Sequence, residues 1–436
     1  MIRKLEADAP KFEGIVGFEE TVVPQVENAL LSGQDIIFLG ERGQAKTRLA
    51  RTLPSLLDEW LPIVAGCEIN DDPLKPICWK CRTTLAECGD QTPIGWVHRD
   101  HRYGEKLATP DITIADLIGE VDPIKVAEGR YLSDELTIHY GLLPRTNRGI
   151  FALNELPDLA ERIQVGLLNI MEERDVQIRG YKVRLPIDLY VVASANPEDY
   201  TNRGRIITPL KDRFGSQIRT HYPRKVEDEI AIMEAERSAY ADAGVETRSP
   251  QFMKELVAEV THLARRSPEI SQRSGVSVRV TICNYENLLS NALKRAIRLG
   301  ETVAAPRVSD LGAIVASTGG KIEMESLGDT SEDKVLGKLM QRAVLNVFNR
   351  TFASGELDEV VGAFQDGLRI EVSDAMPAEL YLRHLGQVRP LQAAVRKLGA
   401  QDPGSVAAAV EFVLEGLHLS KKLNKDLRGG HSRYRG

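Results

Sequence analysis

Hydrophobic positions recur along this chain with two periods, and the change between them falls near residue 225. Before that point, short apolar runs alternate with helical spacing. PQVENALLSG has helical spacing and stops at Gly33, and DIIFLG follows as a brief apolar run closed by Gly40, as suits a buried parallel strand. Leu49, Leu53, Leu56, Leu57 and Trp60 then recur on one helical face, with Pro54 predicting a kink or an early end. Two more strand-like runs are GIFAL (149–153) and LYVVASA (189–195), and between them Ile163, Leu167 and Ile170 form a helical face. VQIRGYKVRL (176–185) reads as a hairpin turning near Gly180. Residues 62–108 show little periodicity. Beyond Val226 the pattern is almost wholly helical, clearest at Ile282, Tyr285, Leu289, Leu293 and Ala296, closed by Gly300.

Strands and helices in that order predict an α/β fold: a parallel sheet with right-handed crossovers, sandwiched by helices. The predicted organisation is a core over 1–223, a helical lid over 224–315 and a helical C-terminal region over 316–436. Composition is ordinary for a globular protein, with 42% hydrophobic and 27% charged residues. The formal charge of −7 argues against a wholesale nucleic-acid binder. The basic end, KKLNKDLRGGHSRYRG, reads as a frayed, solvated terminus. No run approaches the ~18 apolar residues of a membrane span, and MIRKLEADAPKFEG has no apolar signal segment, so the cytoplasm is the expected location.

The first apolar strand leads into Gly40, Glu41, Arg42, Gly43, Gln44, Ala45, Lys46, Thr47 and then Arg48. This is the pattern of a phosphate-binding loop, G-x-x-x-x-G-K-[ST], with Ala45 in place of the last glycine. Such a loop converges backbone N–H groups on phosphates at a helix start; Lys46 would reach the β- and γ-phosphates and Thr47 would ligate Mg²⁺. About 110 residues on, GIFALNE ends a strand with Asn154 and Glu155, where open α/β sheets bind ligands. An acid there positions water. Asn154, in place of the usual Asp, would reach Mg²⁺ through water without adding charge. About 40 residues further, LYVVASANPED ends a strand at Asn196, which can hold the attacking water with Glu155.

With these motifs in order, the chain resembles the helix-2-insert branch of AAA+ ATPases, and within it the MoxR-type ATPases and the I subunit of magnesium chelatase. IVGFEE, GERGQAKT, NRGIFALNELPDL, MEERDVQIRGYKVRLP, VVASANPED, LKDRFGSQI and GVSVRVT carry the likeness, across roughly residues 14–300. The resemblance implies an AAA+ core with a helix-2 insert at 119–141 and a pre-sensor hairpin at 176–185. It implies an ATPase working as a homo-oligomeric ring, expected to be a hexamer, with ATP and Mg²⁺ as cofactors. It further implies that Asn196 is sensor 1, Arg213 an arginine finger entering the neighbouring site, and Arg279 sensor 2, with Arg203 and Arg205 as fallback fingers. A partner chain with a von Willebrand A-type domain is implied, because this chain has no D-x-S-x-S of its own. A metal-chelatase subunit is a narrower alternative. A nucleic-acid motor is a second, disfavoured by charge, and a nucleotide-dependent assembly module with weak hydrolysis is a third. Arg179, Tyr181 and Lys182 at the hairpin turn are candidate substrate contacts.

One segment departs from the family pattern. Cys67, Cys78, Cys81 and Cys88 fall within a stretch poor in other structure, while Cys283 stands alone. A Cys-x₂-Cys turn places two thiolates on one ion, so the four are a candidate structural Zn²⁺ site, with His98 or His101 able to replace one of them. Inert thiols and a redox switch are the other readings.

Overall fold

The computed structural model describes residues 1–7, 9–122, 124, 137–177, 184–196, 204–238, 244–325, 331–428 and 431–436. The chain divides into two compact units, Met1–His221 and Tyr222–Gly436.

The central strands of the first unit are β1 (Ile36–Leu39), β2 (Tyr103–Leu107), β3 (Gly149–Asn154), β4 (Leu189–Ala195) and β5 (Ser216–Arg219). They form one sheet in the order β5-β1-β4-β3-β2, every pairing parallel. Side chains alternate across a strand, so a sheet covered on both faces must be apolar at every position. Ile36, Phe38, Ile150, Ala152 and Val192 pack on one face against Val26 and Ala29 of α1 (Val23–Leu31) and Leu49 and Ala50 of α2 (Lys46–Thr52). Ile37, Phe151, Leu153, Val191 and Ala193 pack on the other face. There they meet Ile163, Leu167 and Ile170 of α3 (Glu161–Glu173) and Leu210 of α4 (Thr208–Arg213).

Pro54 ends α2 early: the helix stops at Thr52, and Leu53–Leu56 is a 3₁₀ turn. Trp60, expected on that helical face, instead begins a strand, Trp60–Val64, paired antiparallel with Ile94–His98. The region expected to be irregular therefore contains a hairpin and a helix, Trp79–Cys88. It also ends sooner than residue 108, because β2 already belongs to the central sheet. YGEKL is an edge strand with little apolar character, which is why periodicity passed over it. The expected hairpin at 176–185 has its two arms, Asp175–Gln177 and Arg184–Pro186, paired antiparallel. Its turn, with Arg179, Tyr181 and Lys182, lies outside the described residues, as do most of the helix-2 insert and Arg203.

The second unit contains α5 (Val226–Glu236), α6 (Gln251–Ala264), α7 (Val278–Leu299), α8 (Glu332–Thr351) and α9 (Pro403–Leu419). One buried cluster runs from Ile230 to Tyr434, so packing shows no break at the expected boundary near residue 315. α9 is buried along most of its length and occupies the middle of this unit. The C-terminal region is not purely helical. β6 (Ile370–Val372), β7 (Asn424–Arg428) and β8 (His431–Arg435) form an antiparallel sheet in the order β6-β8-β7. The expected frayed end is thus a hairpin anchored by the buried ring of Tyr434.

Glu229 ties α5, α6 and α7 together. Fully buried, it accepts hydrogen bonds from Arg265 Nη1 at 2.7 Å and Nη2 at 2.9 Å and from Thr281 Oγ1 at 2.6 Å, with His262 at 3.4 Å. Burial raises its carboxyl pKa, but the partners outweigh burial and hold it at about 2, below the ordinary 4.5. A depressed carboxyl pKa stabilises the fold above the unfolded value, and that contribution is lost as pH falls from about 4.5 towards 2. Glu229→Ala, which strands Arg265, is expected to destabilise the second unit by about 3 kcal/mol or more at pH 7. Denaturant unfolding of the variant should show a smaller penalty at pH 3 than at pH 7.

Candidate functional site

β1 ends at Leu39 and the chain turns at once through 40–47 into α2. A Cβ at Gly40 would lie 2.1 Å from Thr220 Oγ1 and 2.2 Å from Gln44 Oε1, so the turn is built for glycine. The Gln44 side chain closes it from inside, accepting from the Glu41 N–H at 3.1 Å and from Thr220 Oγ1 at 2.9 Å. Gly43 has φ +74° and Ala45 φ +55°. Ala45 therefore holds the left-handed conformation that the missing glycine would adopt freely, at a cost of about 1 kcal/mol.

The Lys46 side chain is buried, and its ammonium donates to Gly40 O at 2.5 Å, Glu41 O at 2.8 Å and Asn196 Oδ1 at 2.9 Å. Lys46 so joins the loop to the C-terminal end of β4. Thr47 makes the second junction, its Oγ1 donating to Asn154 Oδ1 at 3.3 Å at the end of β3. Two oxygen donors converging beside a phosphate-type loop are the ligand chemistry that Mg²⁺ selects. Arg42 and Arg48 are exposed, and Arg48 Nη2 lies 2.6 Å from where a Cβ at Gly14 would stand.

Asn154 is held from three directions. Ser194 Oγ donates to its Oδ1 at 3.2 Å, and its Nδ2 donates to Glu105 Oε1 at 2.7 Å on the neighbouring strand. Glu105 in turn accepts from Arg51 Nε at 2.8 Å and Nη2 at 2.9 Å, and Arg51 stands one turn after Thr47 on α2. The carboxylate absent at position 154 is thus present one hydrogen bond away. Glu155 has φ +55° and ψ +47°, and its N–H donates to Ser194 Oγ at 3.3 Å. A non-glycine residue in this region at a strand end is the kind of local strain that collects at functional sites.

Arg213, at the end of α4, bonds Glu172 through Nε at 3.1 Å and through Nη2, and donates to Pro209 O at 2.9 Å. Arg205 pairs with Glu161 at 3.2 Å. Arg279 is exposed in the first turn of α7, in the second unit. Beside the loop, Leu39, Gly40, Glu41, Gln44, Lys211 and Arg219 line a cleft of about 260 Å³.

Of the predicted thiols, Cys67, Cys78 and Cys81 come together, and their fourth neighbour is Asp71 rather than Cys88. Cys88 is exposed at the far end of the helix Trp79–Cys88, about two turns beyond Cys81, and neither His98 nor His101 joins the group. Hydrogen bonds from the Cys78 and Cys81 thiols hold Cys67 below the usual thiol range, and their bonds to Cys67 push those two up. Sequence reading missed Glu105, Arg51, Ser194 and Asp71. Only Asp71 had a signal, as an acid inside the cysteine-spaced segment.

The first unit is α/β, a parallel sheet between helices, and a largely helical unit follows it in sequence. Residues 128–213, which include Asn154, Glu155, Asn196 and Arg213, match the family described as Sigma-54 interaction domain. In sequence the chain is similar to the sigma54-dependent transcriptional activator SfnR of Pseudomonas putida, 31% identical over 141 residues, which are 28% of this chain and 38% of that protein. It is also similar to the uncharacterized protein YeaC of Bacillus subtilis, 23% identical over 192 residues, 40% of this chain and 56% of that one. The chain therefore spans less than two thirds of either relative's length. A solved structure of the complex between subunits BchI and BchD of magnesium chelatase aligns with a TM-score of 0.39 and 20% identity, covering 72% of this chain and 97% of that one. Among the described residues no helix is long and apolar enough to cross a membrane.

The bond between Asn154 and Glu105 makes a stability prediction. Asn154→Asp sets two carboxylates in contact and should cost ~1–3 kcal/mol at pH 7, less at pH 4, where one takes up a proton. Glu105→Gln alone keeps an acceptor for the amide and should cost little. The double change restores a donor–acceptor pair, so denaturant unfolding should show it more stable than Asn154→Asp alone.

Proposed function

We propose that this chain is an ATPase that works as a ring, hydrolysing ATP at the contact between neighbouring subunits and using the cycle to remodel a partner protein. The observation that carries this is the pair of junctions at the loop: Lys46 on Asn196 at 2.9 Å and Thr47 on Asn154 at 3.3 Å. They bring three segments, far apart in sequence, to one point at the C-terminal edge of a parallel sheet, where such sheets bind ligands.

In this reading the loop N–H groups of Gly40–Thr47 cradle the phosphates. Lys46 exchanges its carbonyl partners for phosphate oxygens. Thr47 and Asn154 are the residues that would hold Mg²⁺, which when bound would supply positive charge to neutralise the phosphates. Glu155 and Asn196 position the attacking water, and Glu155 receives its proton. Arg213, paired with Glu172 within its own chain, leaves that partner for the γ-phosphoryl group of the adjacent subunit. Arg279 acts as sensor 2. Ring assembly, a hexamer by family resemblance, follows from the need for an arginine supplied in trans. The resemblance to MoxR-type proteins favours a von Willebrand A-domain partner, and a chelatase ATPase subunit is a narrower form of the same idea. A cytoplasmic setting fits both.

The family match over 128–213 favours a second reading, in which the remodelled partner is a transcription factor of the sigma-54 kind. Stimulation of ATP turnover by purified sigma-54 factor, and not by a von Willebrand A-domain protein, would select it.

Steady-state turnover should rise faster than linearly with protein concentration. Arg213→Ala and Glu155→Gln should each lower it by about 10³-fold or more while leaving nucleotide binding in place. Mixing the two inactive variants should recover part of the activity, since mixed rings pair an intact Glu155 site with an intact Arg213. Linear turnover, or no recovery on mixing, would overturn hydrolysis in trans.

A further inference from the structure

We propose that Cys67, Asp71, Cys78 and Cys81 form a tetrahedral site for a divalent metal of the zinc class, which holds the 60–98 segment in shape. The four donor atoms lie within 4.8 Å of one another, and three of the residues are buried. With Zn–S bonds of ≈2.3 Å a tetrahedron has edges of about 3.8 Å, so the group needs to contract by roughly 1 Å to close on an ion. Three sulfurs with one carboxylate are a soft set that selects Zn²⁺ over Mg²⁺ or Ca²⁺.

The backbone prepares these donors. Cys78 caps the helix Trp79–Cys88, its Sγ accepting from the Cys81 N–H at 3.3 Å, which brings the two thiols of the Cys-x₂-Cys turn to one side. Asp71 is fixed next to them, Oδ1 accepting from the Ile77 N–H and Oδ2 from the Cys78 N–H, both at 2.9 Å. A carboxylate has about four lone-pair sites, so these bonds orient Asp71 without exhausting it.

Apolar packing does not explain the segment's shape. Its buried cluster is Val64, Ile69, Cys78 and Cys81, half of it the thiols themselves. Its large apolar side chains point the other way: Trp60, Leu74, Trp79, Ile94 and Trp96 are 48–92% exposed. A segment that buries so little needs another source of cohesion, and a metal supplies it.

The same segment is latched to β3. Asn70 Nδ2 donates to Arg145 O at 3.1 Å, Asn147 Nδ2 donates to Ile69 O at 3.0 Å, and Arg148 Nη1 donates to Pro62 O at 2.8 Å. Both Asn70 and Arg148 have φ in the left-handed region, at +51° and +61°. The latch enters β3 at the end opposite Asn154, so the metal would stiffen the strand whose far end carries Asn154 and Glu155. The site itself needs no nucleotide, and its test is independent of the ATPase reading.

Full-length protein purified without chelator should carry one zinc per chain by elemental analysis. Cys78→Ser and Asp71→Asn should lower that at least tenfold, whereas Cys88→Ser should leave it unchanged. Asp71→Cys, which replaces one ligand by another, should retain zinc and resist chelator longer, so the inference does not hang on variants that fail to fold. Reconstitution with Co²⁺ should give the strong visible bands of a tetrahedral thiolate site. All three tryptophans of the chain lie in this segment, so their emission should shift when a chelator strips the metal. Wild-type protein free of zinc that gives no tetrahedral bands with Co²⁺ would overturn the site. Equal loss of zinc in Cys88→Ser and Cys78→Ser would overturn the assignment of Asp71.

Discussion

An ammonium group removed from water must be solvated again by the protein, and the first unit is organised around one such group. Lys46 is 6% exposed. Its charge is met by two loop carbonyls and the side-chain oxygen of Asn196. Those acceptors are in reach only if the loop is tightly turned and if β4 lies beside β1 in the observed register, with Leu39 opposite Ala195. The glycine at 40, the inward Gln44 and the strained Ala45 each serve that turn. An anionic ligand would relieve the same requirement better than carbonyls do, because a charged acceptor binds an ammonium more strongly than a neutral one.

Charge near the loop is spread over more residues than the motifs name. Asn154 is neutral, yet it is bonded to Glu105, and Glu105 is held by Arg51 from the helix that carries Thr47. An anion one hydrogen bond removed sets the orientation of the asparagine amide and leaves its oxygen towards Thr47 and Ser194. The site keeps a carboxylate in its neighbourhood without placing one at the strand end.

Much of the first unit was legible in the sequence because a doubly covered parallel sheet imprints a strong signal: β1 is wholly apolar, β3 and β4 are apolar up to Asn154 and Ser194 near their ends, and α3 has a clean helical face. The loop and the polar strand ends were legible for a different reason, being local in sequence and tied to backbone geometry. What escaped notice lacked either property. β2 is an edge strand whose residues need not be apolar on both sides. Glu105 and Ser194 matter through strand neighbours that no spacing reveals. Asp71 is not marked by cysteine spacing, which groups Cys88 with the other thiols although its helix carries it about two turns away. The C-terminal hairpin gives little sequence signal because its residues are mostly polar and basic, and the buried Tyr434 ring anchors it.

The strand order has a consequence for how the chain is made. β1 lies between β4 and β5, so Ile36–Leu39 has no strand beside it until residues 189–219 exist. At synthesis rates of ~5–20 residues per second, that leaves a fully apolar segment waiting about 8 to 30 s on the ribosome. In that interval it is a ready partner for any exposed strand edge. An interior strand of the finished sheet is thus exposed longest during synthesis, because both of its neighbours are made last.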